Sequence, residues 1–221
     1  MTGNGRRVTV LISGTGRSLE NLIALRDAGE LNCDFARVVS SRAGVRGLTV
    51  AEEAGIPTTV VARKEHFGTQ VFSEALTAVV MADRPDWIVM AGFLSLWLLP
   101  ESLLGKVINI HPSLLPLFGG KGFYGHHVHE AVIASGMRIS GCTVHFVDTR
   151  YDKGPIIHQR CCPVFPADTP DDLASRVFGE ECRALPEALR WCLDGEVALG
   201  EGRVLYSDRL LRPSGQAEDE G

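Results

Sequence analysis

The chain has 221 residues, 22 Lys+Arg against 27 Asp+Glu for a net charge of −5, 45% hydrophobic residues and 22% charged ones. These are values of an ordinary globular protein, and they exclude a disordered chain, a coiled coil and a collagen-like fibre. A mildly acidic chain without a basic run is also a poor duplex binder, because phosphate contacts dominate that affinity, although a local cationic pocket for a small anion stays open.

Arg7–Ile12 is a β-branched run that ends in Ser13-Gly14-Thr15-Gly16. It is too short for a signal-peptide core, and no later stretch approaches the roughly 18 apolar residues of a membrane span. A helix follows, with Leu19, Leu22 and Ile23 on one face and Gly29 as its stop. Phe35–Val39 reads as a strand, Arg46–Ala54 as a helix and Thr58–Val61 as a third strand. Between Phe67 and Met81, Phe72, Leu76, Val79 and Val80 fall at i, i+4, i+7 and i+8, a helical stripe. Trp87–Ala91 and Val107–Ile110 read as buried strands. This alternation predicts an α/β fold, a doubly wound and mostly parallel sheet with helices on both faces.

After about residue 140 the pattern changes. Gly141–Val147 and Pro155–Val164 are strands joined by the turn-like segment Asp148–Gly154, which predicts antiparallel strands added to the sheet. A long helix runs from Pro170 to Leu193, with Thr169 as its N-cap and Pro170 at its first position. Val204–Tyr206 is expected as a last edge strand. Residues 1–212 are expected to form one domain and residues 213–221 a loose tail. The six cysteines, Cys33, Cys142, Cys161, Cys162, Cys182 and Cys192, form no C-x-x-C pair and read as reduced thiols of a cytoplasmic protein.

Four features could carry chemistry. Gly14, Thr15, Gly16, Arg17 and Ser18 join a strand to a helix, where backbone amides and the helix dipole favour an anion. Leu19 stands where the dinucleotide fingerprint wants a third glycine, so the loop is either a phosphate-monoester site or an ordinary tight turn. Asn109 and His111 are two apart on one strand, so they share a face, and Pro112 ends that strand at the carboxyl edge where such sheets bind ligands. An amide donor and a titratable imidazole there could hold an oxyanion and manage a proton, or could simply close a strand. Glu181 lies within the apolar face formed by Leu173, Ala174, Val177, Phe178, Leu185 and Leu189, an expensive place for a carboxylate without a partner. Either an Arg or Lys partner meets it, or it snorkels to solvent, or it serves a ligand. Phe118–Gly125 is a glycine-rich loop, a lid or a plain mobile segment. His126, His127 and His129 miss the i, i+4 spacing of a helical zinc pair, so no metal is expected.

Asn109-Ile110-His111-Pro112-Ser113-Leu114-Leu115-Pro116, followed by a strand and Tyr151-Asp152-Lys153-Gly154-Pro155, resembles the formyltransferases that use 10-formyltetrahydrofolate. Ser13–Gly16, Met90-Ala91-Gly92-Phe93 and Cys142–Val147 match the same pattern, and the resemblance covers roughly residues 7–193. The glycine loop and the long final helix narrow it to the branch whose acceptor is glycinamide ribonucleotide. That resemblance implies catalytic roles for Asn109, His111 and Asp152, with Asp152 holding His111 charged. It implies ribonucleotide binding by Gly14, Thr15, Gly16, Arg17 and Ser18, with Glu181 on the ribose hydroxyls. It implies folate binding by Phe93, Leu94, Ser95, Leu96, Asp148 and Tyr151, and no metal. The partners so implied are small molecules, with no nucleic acid and no membrane. Ser95 stands where well-known members carry a basic residue, and Cys182 where a His is common. Three rivals share the motif: a formyltetrahydrofolate hydrolase, a methionyl-tRNA formyltransferase and a catalytically silent folate or ribonucleotide binder. The first is expected to carry an additional N-terminal domain, and the second an additional C-terminal domain with a basic face.

Overall fold

The computed structural model describes residues 5–211. Its first strand, β1 (Arg6–Ile12), shows why the sheet takes the form it does. Val8, Val10 and Ile12 enter one apolar core and Leu11 enters another, because successive side chains leave a strand on opposite faces. A strand apolar on both sides needs cover on both sides, which parallel sheets obtain from crossover helices.

The chain continues through α1 (Arg17–Asp27), β2 (Cys33–Ser40), α2 (Arg46–Glu53), β3 (Thr58–Val60), α3 (Gly68–Ala82), β4 (Trp87–Met90) and β5 (Val107–His111). It then forms α4 (His126–Ala134), β6 (Ile139–Phe146), β7 (Ile156–Pro163) and α5 (Pro170–Leu193). The seven strands lie in the order β3-β2-β1-β4-β5-β6-β7. The first five are parallel, and β6 and β7 join antiparallel. Side chains from α1, α2, α4 and α5 fill the core on one face. Phe72, Leu76 and Val80 of α3, with Trp97, Leu99 and Leu103, fill the other. The sheet is doubly wound and mostly parallel, as the alternation predicts.

One expected element takes a different partner. Val204–Tyr206 does not edge the main sheet. It belongs to β9 (Arg203–Tyr206), which pairs with β8 (Val197–Gly200) in a separate two-stranded hairpin. The turn explains the pairing. Glu201 and Gly202, the two residues between the strands, both have positive φ (51° and 76°), as the tight primed hairpin turn requires. Tyr206 still touches the main sheet, since its hydroxyl donates to the Ile157 carbonyl of β7 at 2.8 Å. A short helix, α6 (Asp208–Leu211), ends the described part, and the expected tail 213–221 lies outside it.

Two features of α5 hold the site's walls in place. The Thr169 hydroxyl accepts from Asp172 N at 3.2 Å, and Asp172 Oδ2 accepts from Thr169 N at 2.9 Å, a reciprocal capping box. Pro186 sits inside the helix, where its missing N–H frees the carbonyl four residues earlier. That carbonyl belongs to Cys182, and it accepts from Asn21 Nδ2 of α1 at 2.9 Å. The orphaned acceptor thereby becomes a clamp between α1 and α5, one residue from Glu181.

Candidate active site

β1, β4 and β5 are parallel neighbours, so the loops after them open on the same edge of the sheet. The loop after β1 is drawn close to the start of α2. Gly16 has φ 74°, and a Cβ there would stand 2.6 Å from the Gly47 Cα. Gly47 N donates to the Gly14 carbonyl at 3.1 Å, and Arg46 donates to the Thr15 carbonyl at 3.2 Å. The loop is also tied to the one after β4. Ser13 N donates to the Gly92 carbonyl at 3.0 Å, and Ser13 Oγ accepts from Leu94 N at 2.9 Å while meeting Ser41 Oγ at 2.6 Å. Gly16 is the N-cap of α1 and offers no side-chain oxygen to its first amides.

Asn109 and His111 do share a face of β5, and the antiparallel register sets His145 opposite Asn109 and Thr143 opposite His111. Asn109 Nδ2 donates to His145 Nε2 at 3.0 Å, and the His145 Nδ1–H is fixed by the Phe146 carbonyl at 2.8 Å. The His145 ring is thus fixed by the Phe146 carbonyl at Nδ1, with Nε2 turned toward Asn109 and Asp152. An amide nitrogen carries two N–H groups, so one of Asn109's remains for the cavity. Thr143 Oγ1 donates to the Ser113 carbonyl at 2.7 Å and accepts from Leu115 N at 3.0 Å and Gln159 Nε2 at 2.9 Å. These bonds anchor the turn after His111.

Asp152 arrives by a longer route. β6 ends beside the start of β5, with Phe146 opposite Ile108. The following segment must fold back to bring Asp152 Oδ2 to 3.5 Å from His111 Nδ1 and Oδ1 to 3.7 Å from His145 Nε2. Asp152 takes a left-handed conformation, φ 52°, and accepts from Gly120 N at 2.9 Å. The other nitrogen of His111, Nε2, donates to the Phe118 carbonyl at 2.8 Å. The backbone of 118–120 therefore contacts both members of the pair. Gly119 has no room for a side chain there, since a Cβ would run into Leu115 and Asp152.

Burial and neighbouring charge act on the pair in opposite senses. Burial pulls His111 below the ordinary imidazole range, and the opposing pull of Asp152 and the Phe118 carbonyl does not overcome it. Burial would raise the Asp152 carboxyl, but His145, His111 and the Gly120 N–H together hold it below the usual carboxylate range. Nδ1 of His111 thus faces Oδ2 of Asp152 while its Nε2 is held by the Phe118 carbonyl.

A cavity of about 580 Å³ gathers Gly14, Thr15, Gly16, Arg17 and Ser18 with Asn109, His111, Asp152 and Glu181. Phe93, Leu94 and Tyr151 also line it. Ser95, Leu96 and Asp148 do not; they line a separate recess of about 50 Å³, which Asn109, Asp152, Phe93 and Tyr151 also border. Asp148 is already engaged by Arg150, whose guanidinium lies 2.9 Å away. Glu181 has no hydrogen-bond partner among the described residues, and burial pushes its carboxyl up to about 7 against the pull of Arg17. Among the described residues it forms no ion pair, so of the readings open for it the basic partner is not seen.

Thr143 and His145 entered the sequence reading only as part of the matching run Cys142–Val147, without a role in the site, and Phe178 only as part of an apolar stripe. The histidines after Gly125 divide. His126 and His127 pair with Glu130 on the exposed side of α4, and His129 is buried in the cavity wall, where burial lowers it to about 4. The glycine-rich loop supplies a wall as well, with Gly120–Gly125 along the cavity.

A doubly wound α/β protein with a polar cluster at the carboxyl edge of its sheet is built to bind small ligands there. Family comparison specifies which kind: the formyl transferase family matches residues 6–189, and the chain belongs to that family. It is 31% identical over 217 residues to a phosphoribosylglycinamide formyltransferase of Haemophilus influenzae, spanning 97% of this chain and all of that one. It is 42% identical over 206 residues to a trifunctional purine biosynthetic protein adenosine-3 of Gallus gallus, covering 92% of this chain but only 20% of the relative's length. Among solved structures, glycinamide ribonucleotide transformylase 1 from Symbiobacterium toebii superposes with a TM-score of 0.85 at 34% identity, covering 94% of this chain and 96% of that one.

Proposed function

We propose that this chain transfers the formyl group of 10-formyltetrahydrofolate to the glycyl amine of glycinamide ribonucleotide, as a small-molecule enzyme of the cytoplasm that needs no metal. The observation that carries the reading is the position of Asn109 and Asp152 on both the large cavity and the small recess, with His111 beside Asp152 on the large cavity. Two substrates entering from the two sides would meet there. The phosphate end of the ribonucleotide would lie on Gly14–Ser18, its ribose against Glu181, and the folate against Phe93–Leu96, Asp148 and Tyr151.

In this reading the amine nitrogen attacks the formyl carbon and a new N–C bond forms. The free N–H of Asn109 meets the developing oxyanion. The amine must lose a proton and N10 of the folate must gain one before the old N–C bond breaks. Asp152 and the Nδ1 lone pair of His111 are placed to carry it, directly or through water. A proton on Nδ1 gives an imidazolium with Phe118 O and Asp152 as acceptors and an added positive charge beside the oxyanion.

An ultraviolet assay of folate release, with and without glycinamide ribonucleotide, tests the assignment. Release only in the presence of the ribonucleotide is expected. Release without it would make the chain a hydrolase, and no release in either case a binding protein.

Glu181→Gln provides a second test. A carboxyl raised from 4.5 to about 7 in the folded chain has a contribution to stability that is fully present below its unfolded value and is lost as pH rises through about 7. Gln mimics the protonated form. Its advantage in melting temperature over the wild type should therefore be small at pH 5 and grow to several degrees at pH 8. Its neighbours from other elements are Arg17 of α1 and Cys142 of β6, with Cys182 on its own helix. The KM for the ribonucleotide should rise by about 10-fold, as when a hydrogen bond to a charged group is weakened, and that for the folate should barely change. A collapsed melting temperature with an unchanged ribonucleotide KM would make Glu181 a purely structural residue.

A further inference from the structure

Arg17 opens α1 beside the glycine loop, and its guanidinium carbon lies 3.6 Å from the centroid of the Phe178 ring. Phe178 and Glu181 are three residues apart on α5, so their side chains are neighbours on one face of that helix. Both line the large cavity, as does Arg17. The cation thus faces two competing partners from one helix, a ring and a carboxylate. It rests on the ring, and among the described residues it forms no ion pair. Arg46, the other cation touching this loop, is already committed to Glu20 at 2.9 Å and to the Thr15 carbonyl.

The two partners would leave Arg17 in different chemical states. An ion pair with Glu181 would use the in-plane N–H groups of the guanidinium and neutralise both charges. A ring beneath the guanidinium uses its flat face and leaves the five in-plane donors unspent. A ligand phosphate needs those donors, and ribose hydroxyls need an uncompensated carboxylate. If the ion pair formed first, each ligand contact would have to break it, and apparent affinity would fall by the fraction of molecules so closed.

We propose that Phe178 is a positioning residue for ribonucleotide recognition: its ring holds Arg17 flat and away from Glu181, so that the guanidinium edge meets the phosphate and the carboxylate meets the ribose. This rests on the reading that the glycine loop takes the phosphate. Phe178 itself touches neither reacting group. Its replacement acts through Arg17 alone, and any ring able to stack can substitute for it.

The test uses the full chain with Phe178→Leu, Phe178→Trp, Arg17→Ala and the Phe178→Leu/Arg17→Ala double variant. Calorimetric titration with ribose 5-phosphate and with ribose measures phosphate recognition without any turnover. Wild type is expected to prefer ribose 5-phosphate strongly. Phe178→Leu should weaken ribose 5-phosphate about fivefold or more and leave the KM for the folate within twofold. Phe178→Trp should restore the affinity, and in the Arg17→Ala background the Leu change should add less than twofold. A wild-type preference for phosphate that Phe178→Leu leaves intact overturns the proposal alone. So does an equal loss in the Arg17→Ala background, or a Trp variant as weak as Leu. Equal wild-type affinity for ribose and ribose 5-phosphate overturns the phosphate reading and the proposal with it.

Discussion

Replacing Asn109, His111 or Asp152 by alanine is expected to lower kcat/KM by about 100-fold or more in each case, the scale of a lost oxyanion donor or proton-transfer group. The geometry distinguishes the three. Asn109→Ala removes the free N–H and also releases His145 Nε2, so its loss should appear in kcat rather than in either KM. His111→Ala removes the nitrogen facing Asp152 and leaves the Phe118 carbonyl with only the longer contact from Ser113 Oγ at 3.4 Å. Asp152→Ala removes the carboxylate that His111 faces and the acceptor of Gly120 N. Because the last two act on one proton, their losses should not multiply: the His111→Ala/Asp152→Ala variant should be little slower than the worse single variant. His111 is almost wholly buried, so modestly lower melting temperatures are expected, with the fold retained. Near wild-type turnover in a variant lacking all three side chains would sink the mechanism.

How much of this was legible in the sequence follows from the range of each signal. The two-residue spacing of Asn109 and His111 is local, and it placed both on one face at the carboxyl edge. The same argument applied to β6 would have found Thr143 and His145, which share a face and answer them across the ladder. The approach of Asp152 has no local signal, since it depends on a chain that folds back after an antiparallel strand. Only the resemblance singled it out. Phe178 read as one more apolar residue of a helical stripe, because the cation that covers it comes from a different helix. Pro186 lies inside the long helix expected from Pro170 to Leu193, and Asn21 takes the carbonyl that proline leaves unpaired. The misplaced edge strand has a local cause that a closer reading could have used: Glu201-Gly202 is a two-residue turn between short apolar runs. The balance at His111 has no local signal either. A neighbouring carboxylate raises an imidazole and burial lowers it, and the depth of burial is a property of the whole fold.

Removing the phosphate from the acceptor is expected to weaken its binding by about 100-fold or more, the loss of two charge-assisted hydrogen bonds at about 1.5–3 kcal/mol each. The first amides of a helix have no partner within the helix, and α1 begins with a glycine cap that supplies no side-chain oxygen to them. Ser13 Oγ, the hydroxyl where β1 ends, is already engaged by Leu94 N and Ser41. An anion can therefore take the capping role, with the helix dipole in its favour. The two sources of affinity should separate by salt. Amides pinned between Gly14, Gly47 and Gly92 are fixed donors, and their share should change little with ionic strength. Arg17 is exposed, so its share should shrink as salt rises. Arg17→Ala should then cost about 10-fold at low salt and less at high salt. Gly16→Ala should cost more at both, because a Cβ at φ 74° and 2.6 Å from Gly47 Cα moves the amides themselves. Equal KM values for the phosphorylated and dephosphorylated acceptors would show that the loop is only a turn, held tight by Gly47 for the sake of packing.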